Sequence, residues 1–124
     1  MRLAQTYSEI EVGESDDFAF DFSPNMGIAT MLSTSWICFL AKLQTVVDPN
    51  PQSRVISASV QTTIQIRGND GILRPVDGAF SVARIGGMPA SAAGGVYVLE
   101  ATANLSDGRV LKLNSTVACV AAGC

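Results

Sequence analysis

Apolar and polar residues alternate with a period of two along most of the 124-residue chain, which is the pattern of half-buried β-strands. The segment Asp16–Phe22 alternates cleanly and places three aromatic side chains on one face: Phe18, Phe20 and Phe22. The segment 33–43 is apolar on both faces, which predicts a central strand. Two further segments, 54–68 and 78–87, also have the composition and alternation of strands.

The region 94–119 carries the strongest pattern and predicts a β-hairpin with one wet face. Tyr97 and Leu99 share the inner face of its first strand, and Leu111 and Leu113 share that of its second. Polar side chains mark the outer face, among them Glu100, Lys112 and Asn114. The turn between the two strands is formed by small and polar residues: Ser106, Asp107 and Gly108.

Six or seven short strands separated by loops predict an all-β fold, an immunoglobulin-like antiparallel β-sandwich of about seven strands with an extended N-terminal segment. The predicted domain spans residues 16–120, between an N-terminal extension at 1–15 and a flexible tail at 121–124. The predicted core contains seven residues from the inner faces of these strands: Phe20, Phe22, Trp36, Tyr97, Leu99, Leu111 and Leu113.

Charged residues make up only 15% of the chain, against about 25% in an average soluble domain, which hints that a neighbour covers part of the surface. Residues 1–21 hold six acidic residues and one basic residue. We expect this segment to be a solvated leader, with pairing to a basic partner as the alternative. The charge distribution argues against nucleic-acid binding, which needs clustered Lys and Arg. The most apolar region, 26–43, is interrupted by Ser and Thr, so no membrane span is expected.

No residue pattern indicates catalysis, and we expect a protein that is not an enzyme. The chain has no histidine, which is the commonest general base. Asp16 and Asp17 are adjacent in a strand and therefore point to opposite faces, where they cannot share a substrate. Neither a metal site nor a cofactor is expected, since the three cysteines fit no zinc pattern.

The three cysteines do not form a closed disulfide framework. Cys38 lies in an apolar strand, which predicts a buried thiol. Cys124 is the last residue of a tail of small residues, where it can form a disulfide with Cys119 or with a neighbouring chain.

Three features occur in a fixed order along residues 16–120: an aromatic strand leading to a tryptophan, a strand ending in a glycine step, and a hairpin with the turn SDGR. The positions concerned are Phe20, Phe22, Ile28, Ser33, Ser35, Trp36, Gly86, Gly87, Gly95, Tyr97, Ser106, Asp107, Gly108 and Arg109. In this order they resemble a family of small tailed-bacteriophage proteins, the immunoglobulin-like fibre-tail adaptor or head–tail joining proteins. Two departures are Asn104-Leu105 in place of the usual threonine before the turn, and the tail at 119–124.

This resemblance implies a non-catalytic virion protein, assembled in the bacterial host cytoplasm. It would join or cement subunits at the neck or tail, in the head–tail connection, the collar or the fibre attachment. The implied partners are other virion structural proteins of the neck, tail or fibres. Multiple copies on a symmetric ring would add weak contacts into a firm assembly. Two alternatives remain open: a capsid cement or decoration protein, and a carbohydrate-binding or adhesin module.

Overall fold

The computed structural model describes residues 2–3, 8–41 and 45–121, which form eight β-strands and three single-turn 3-10 helices. The strands are β1 (Arg2–Leu3), β2 (Ser8–Glu11), β3 (Ser15–Asp21), β4 (Met31–Leu40), β5 (Val55–Arg67), β6 (Leu73–Gly86), β7 (Val96–Leu105) and β8 (Val110–Val120). They form two four-stranded sheets, with the order β1-β3-β6-β5 in the first sheet and β2-β8-β7-β4 in the second.

The strand order confirms the predicted immunoglobulin-like sandwich. In the first sheet β3, β6 and β5 follow the order B-E-D of that fold, and in the second β8, β7 and β4 follow the order G-F-C. Every pairing among these six strands is antiparallel. Among the described residues, seven strands have four residues or more, in agreement with the predicted number.

Part of the segment predicted as an extension, 1–15, belongs to the sandwich. β2 pairs with β8 in parallel, with Ile10 opposite Cys119, and Ile10 is only 1% exposed. β1 likewise pairs in parallel with β3. The expectation of a solvated leader is therefore wrong for Ser8–Glu11, because one buried isoleucine between acidic residues anchors this stretch to the second sheet.

The hydrophobic core lies between the two sheets. The structure buries five of the seven predicted core residues at 0–4% exposure, namely Phe20, Phe22, Trp36, Tyr97 and Leu99. The other two, Leu111 and Leu113, are half-buried and pack against this core. The Phe20 ring lies at its centre, 5.0 Å from the Trp36 ring and 6.5 Å from the Phe22 ring.

A small polar bridge crosses this core and joins the two sheets. The indole Nε1 of Trp36, on β4, donates a hydrogen bond of 2.6 Å to Oγ of Ser81, on β6. The hydroxyl of Thr34 also forms a hydrogen bond with the Ser81 hydroxyl. The buried indole N–H of Trp36 and the buried hydroxyl of Ser81 thus both have hydrogen-bond partners within the protein, as buried polar groups require.

β4 is an edge strand of the second sheet, so the prediction of a central strand for 33–43 is wrong. Its outward side chains Ile37 and Phe39 remain 46% and 41% exposed. The apolar residues on the outer face of this strand are therefore exposed, and they do not show that a second layer covers it. Residues 42–44 lie outside the described part of the chain.

The side chain of Gln52 shields part of the β4 edge. Its Nε2 donates to the carbonyl oxygen of Trp36 at 3.0 Å, and its Oε1 accepts from the backbone nitrogen of Cys38 at 3.0 Å. An amide side chain thus makes the hydrogen bonds that a neighbouring strand would make, which blunts an otherwise open edge.

β5 and β6 continue beyond the first sheet as a two-stranded ribbon. β3 pairs with β6 only as far as Phe80, whereas β5 remains paired with β6 as far as Leu73. The sequence pattern predicts this strand only from residue 78, whereas in the structure it begins at Leu73 and includes Pro75. Among the described residues, β6 pairs with β5 only in the ribbon, and its other edge is free. Pro75 is tolerated there because its missing N–H removes no hydrogen bond to a strand on that free edge.

Candidate assembly surfaces

Exposed apolar side chains gather at the end of the sandwich from which the ribbon projects. The loop after β3, at residues 22–30, and the turn between β7 and β8 lie at the same end. Six of the ten large apolar residues that the structure shows exposed belong here: Ile28, Leu32, Ile72, Leu73, Val76 and Val110. We call this surface the apolar end.

The SDGR turn fixes the neighbouring loop at 22–30. Arg109 donates to the carbonyl oxygens of Asn25 at 3.1 Å and Met26 at 2.7 Å, and its Nε donates to the Asp107 carboxylate at 2.8 Å. Ser106 and Thr30 exchange two hydrogen bonds, of 2.8 Å and 3.0 Å. The turn residues that the sequence singled out therefore hold a loop more than 75 positions away in the chain.

Replacing Arg109 with alanine should loosen the loop at 22–30 without unfolding the sandwich. We expect backbone amides of residues 25–30 to exchange hydrogen about five- to tenfold faster, the factor that follows from losing about 1 kcal/mol of net hydrogen bonding. Hydrogen exchange followed by mass spectrometry measures this. Lys112→Ala is the control, because Lys112 is exposed and its nearest carboxylate oxygen, on Glu100, is 3.7 Å away. Equal exchange in both variants would show that Arg109 does not hold the loop.

A cleft of about 200 Å³ opens between this loop and the base of the ribbon. Its lining is mainly apolar and includes Met26, Ala29 and Met31 from the loop side, and Val60 and Ala79 from β5 and β6. An aliphatic side chain matches this chemistry better than a polar ligand does.

The outer face of the second sheet is divided into an apolar and a polar half. Ile37 and Phe39 lie opposite Glu100 and Val98 in register. The part of this face that carries Lys112 and Glu100 is polar, and an ion pair of 3.7 Å joins Lys112 Nζ to Glu100 Oε1. That pair is exposed, so it contributes little to stability.

Acidic residues of the N-terminal segment line a shallow depression at the opposite end of the molecule. It has a volume of about 410 Å³ and is bordered by Glu9, Glu11 and Glu14. The Glu14 carboxylate accepts a hydrogen bond of 2.9 Å from the backbone nitrogen of Glu11, so it serves the turn between β2 and β3. The structure thus assigns part of this acidic cluster to turn formation.

A buried polar network joins the loop before β5 to the start of β7. The side chain of Asp48 is completely buried and accepts a hydrogen bond of 2.5 Å from the Tyr97 hydroxyl. Arg54 donates to the same carboxylate from Nε at 2.9 Å and from Nη2 at 3.1 Å, and Asn50 donates its backbone N–H at 3.0 Å. Arg54 also donates to the Gly87 carbonyl oxygen, which ties in a second loop.

These contacts determine the ionisation of the network. Burial alone would raise the pKa of Asp48, but the hydrogen bonds from Arg54, Tyr97 and Asn50 outweigh it and hold the pKa below its ordinary value. Burial, followed by the hydrogen bond to Asp48, raises the pKa of Tyr97 far above its ordinary value. Asp48 is therefore a carboxylate and Tyr97 a neutral donor at neutral pH. The sequence gives no sign of this role of Asp48, because no local pattern reveals a partner 49 positions away.

The two described cysteines are buried, and they do not form a disulfide with each other. Burial, and then the nearby Asp48 carboxylate, raises the pKa of Cys38 to about 12. The same causes raise the pKa of Cys119, which is 1% exposed. Protonated, buried thiols react slowly. Cys124 lies outside the described residues, and its pairing with Cys119 or with another chain stays a prediction.

The described residues contain no cluster of side chains typical of a metal centre. Across residues 8–41 and 45–121, no three His, Cys, Asp or Glu side chains are grouped so that they could hold a metal ion. In the same part of the chain, no helix is long and apolar enough to span a membrane.

Comparison with protein-family models and with curated proteins finds no match to this chain. The resemblance to the phage joining proteins therefore depends on the motif positions alone.

Proposed function

We propose that this chain is a non-catalytic structural protein of a tailed-bacteriophage virion, which joins or cements neighbouring subunits at the neck or tail. The observation that carries the proposal is the apolar end, where a rigid sandwich presents exposed aliphatic side chains on a projecting ribbon and a clamped loop. Large apolar side chains exposed together at one end of a protein are typical of a contact site. A two-stranded ribbon is only marginally stable in water by itself, which favours a neighbour against it.

Three of the motif positions that carry the phage resemblance have clear structural roles. A side chain at Gly86 would approach the Glu14 carbonyl oxygen to 2.6 Å, so this position of the glycine step needs a glycine. Tyr97 anchors the buried Asp48 network. Arg109 holds the loop of the apolar end. Motifs of this kind specify a scaffold with contact surfaces rather than a reaction.

Two other functions are compatible with a small β-sandwich. A capsid cement protein would use the same kind of surface, and the position in the particle distinguishes it. A carbohydrate-binding module usually presents exposed aromatic rings, but among residues 9–41 and 45–121 only Phe39 is an exposed aromatic residue. The aromatic residues therefore disfavour the carbohydrate-binding alternative, and the motif resemblance favours the neck or tail over the capsid.

Deleting the gene from the phage that encodes it tests the proposal. We expect lysates with filled heads and separate or incomplete tails, visible by negative-stain electron microscopy, together with a sharp loss of infectious titre. Expression of the wild-type chain in the host should restore joined particles. Joined, infectious particles at normal titre would contradict the proposal, and joined particles with fragile capsids would favour the cement alternative.

A further inference from the structure

Ile28 projects into solvent from a loop that is held in place on both sides. Its exposure is 105% of the reference value, the highest of any large apolar residue that the structure describes. The flanking backbone is fixed, because Met26 accepts from Arg109 and from the backbone nitrogen of Ala29, and Thr30 is bonded to Ser106. A fully exposed isoleucine on a fixed loop is costly in water and favourable when a partner covers it.

The apolar cleft lies beside the loop that carries Ile28. Met26 and Ala29, the near neighbours of Ile28 in the chain, line one wall, and Val60, Thr62 and Ala79 line the other. An apolar cavity of about 150 Å³ accommodates a group as large as benzene. A cleft of about 200 Å³ therefore has room for one isoleucine side chain.

The charges of the ribbon and the SDGR turn balance within the chain, with Arg67, Arg74 and Arg109 against Asp70, Asp77 and Asp107. Asp70 binds Arg74 through two hydrogen bonds of 3.0 Å and 2.6 Å, and the Asp77 carboxylate accepts from Thr63 at 2.8 Å. On the neighbouring turn, Asp107 is bound to Arg109. This end consequently needs no oppositely charged partner, and an equally apolar and internally neutralised surface fits it. A second copy of the chain provides such a surface.

The exposed aliphatic residues determine how strong the pairing can be. The six present a combined area on the order of 600 Å², but Leu73 and Val76 point to opposite faces of the ribbon, so one partner cannot cover both. The surface buried on each partner is therefore below the roughly 800 Å² of a standard stable interface, and we expect a weak dimer.

We propose that two copies of the chain pair through their apolar ends about a twofold axis, each inserting Ile28 into the cleft of the other. Because the side chain and the cleft are neighbours on one surface, a twofold axis satisfies both contacts at once. Two unrelated surfaces would be needed for a head-to-tail contact. This inference is independent of the proposed function, since it uses only the shape and chemistry of the apolar end.

Sedimentation equilibrium of the full-length chain over a wide concentration range tests the pairing. We expect a monomer–dimer equilibrium in the wild type, and a dissociation constant raised at least about 30-fold by Ile28→Asp, as for loss of a central apolar contact. Thr62→Lys, on the cleft wall, should have a similar effect. Ile56→Asp is the matched control, because Ile56 is also an exposed isoleucine, at 56%, but lies at the opposite end of β5. Circular dichroism would verify folding of each variant.

Mixing the two interface variants tests the reciprocal geometry. In a mixture of Ile28→Asp and Thr62→Lys chains, one contact joins the introduced carboxylate to the introduced ammonium and the other retains wild-type residues. We therefore expect heterodimers at concentrations where each variant alone is monomeric. A wild type that stays monomeric, a dimer unaffected by Ile28→Asp, or a mixture without heterodimers would each overturn the proposal. None of these results would alter the outcome of the gene-deletion experiment.

Discussion

Replacing Asp48 with alanine is expected to lower the free energy of unfolding by about 3–5 kcal/mol, the usual cost of removing one partner from a buried charge pair. The Asp48 side chain is fully buried, and its loss leaves the Arg54 guanidinium, itself 17% exposed, without its counter-ion. The buried hydroxyl of Tyr97 loses its acceptor as well. Urea denaturation at neutral pH measures the difference. Asp70→Ala is the control, since the Asp70–Arg74 pair is exposed and should matter little.

The same substitution should also change the dependence of stability on pH. Because the folded-state pKa of Asp48 lies below its ordinary value, its stabilisation is fully present above the unfolded pKa of about 3.9 and is lost as the pH falls through the folded value. The wild type and Asp48→Ala should therefore converge in stability under strongly acidic conditions. A constant difference over the whole acidic range would show that the ionised carboxylate is not what stabilises the network.

Replacing Phe20 with alanine should destabilise the sandwich by about 3–5 kcal/mol, as is usual for a buried phenylalanine. Phe20 is 0% exposed and its ring packs near those of Trp36 and Phe22. Since a domain of this size has a total stability of roughly 5–15 kcal/mol, the loss is a large fraction of the whole.

Phe39→Ala is the matched comparison for this core substitution. The same side chain is truncated on an edge strand, where it is 41% exposed, so a much smaller loss is expected. Both variants can be compared by urea denaturation. Equal losses for the two phenylalanines would contradict the placement of the core between the sheets.

Features that depend on neighbouring residues in the chain could be predicted from the sequence. The alternation of Phe18, Phe20 and Phe22 fixes the inward face of β3, because side chains of a strand alternate between its faces. The hairpin of β7 and β8 needs only two patterned strands and a short turn. These local patterns were enough to predict an immunoglobulin-like sandwich.

Features that depend on distant partners could not be predicted. The pairing of β2 with β8 joins residues more than 100 positions apart, and the acidic character of 8–11 hides the single buried Ile10. The sequence of β4 is apolar on both faces, and this pattern does not distinguish a strand covered on both faces from an edge strand with an exposed outer face. The contacts of Asp48 with Tyr97 and of Arg109 with Met26 are likewise created only by folding.

Locating the chain by cryo-electron microscopy of the virion that contains it is the most direct test of a joining role. We expect several symmetry-related copies of the sandwich at the neck or tail, with apolar ends covered by neighbouring subunits. Density for the sandwich on the capsid lattice, or purified virions that lack the chain altogether, would contradict that role.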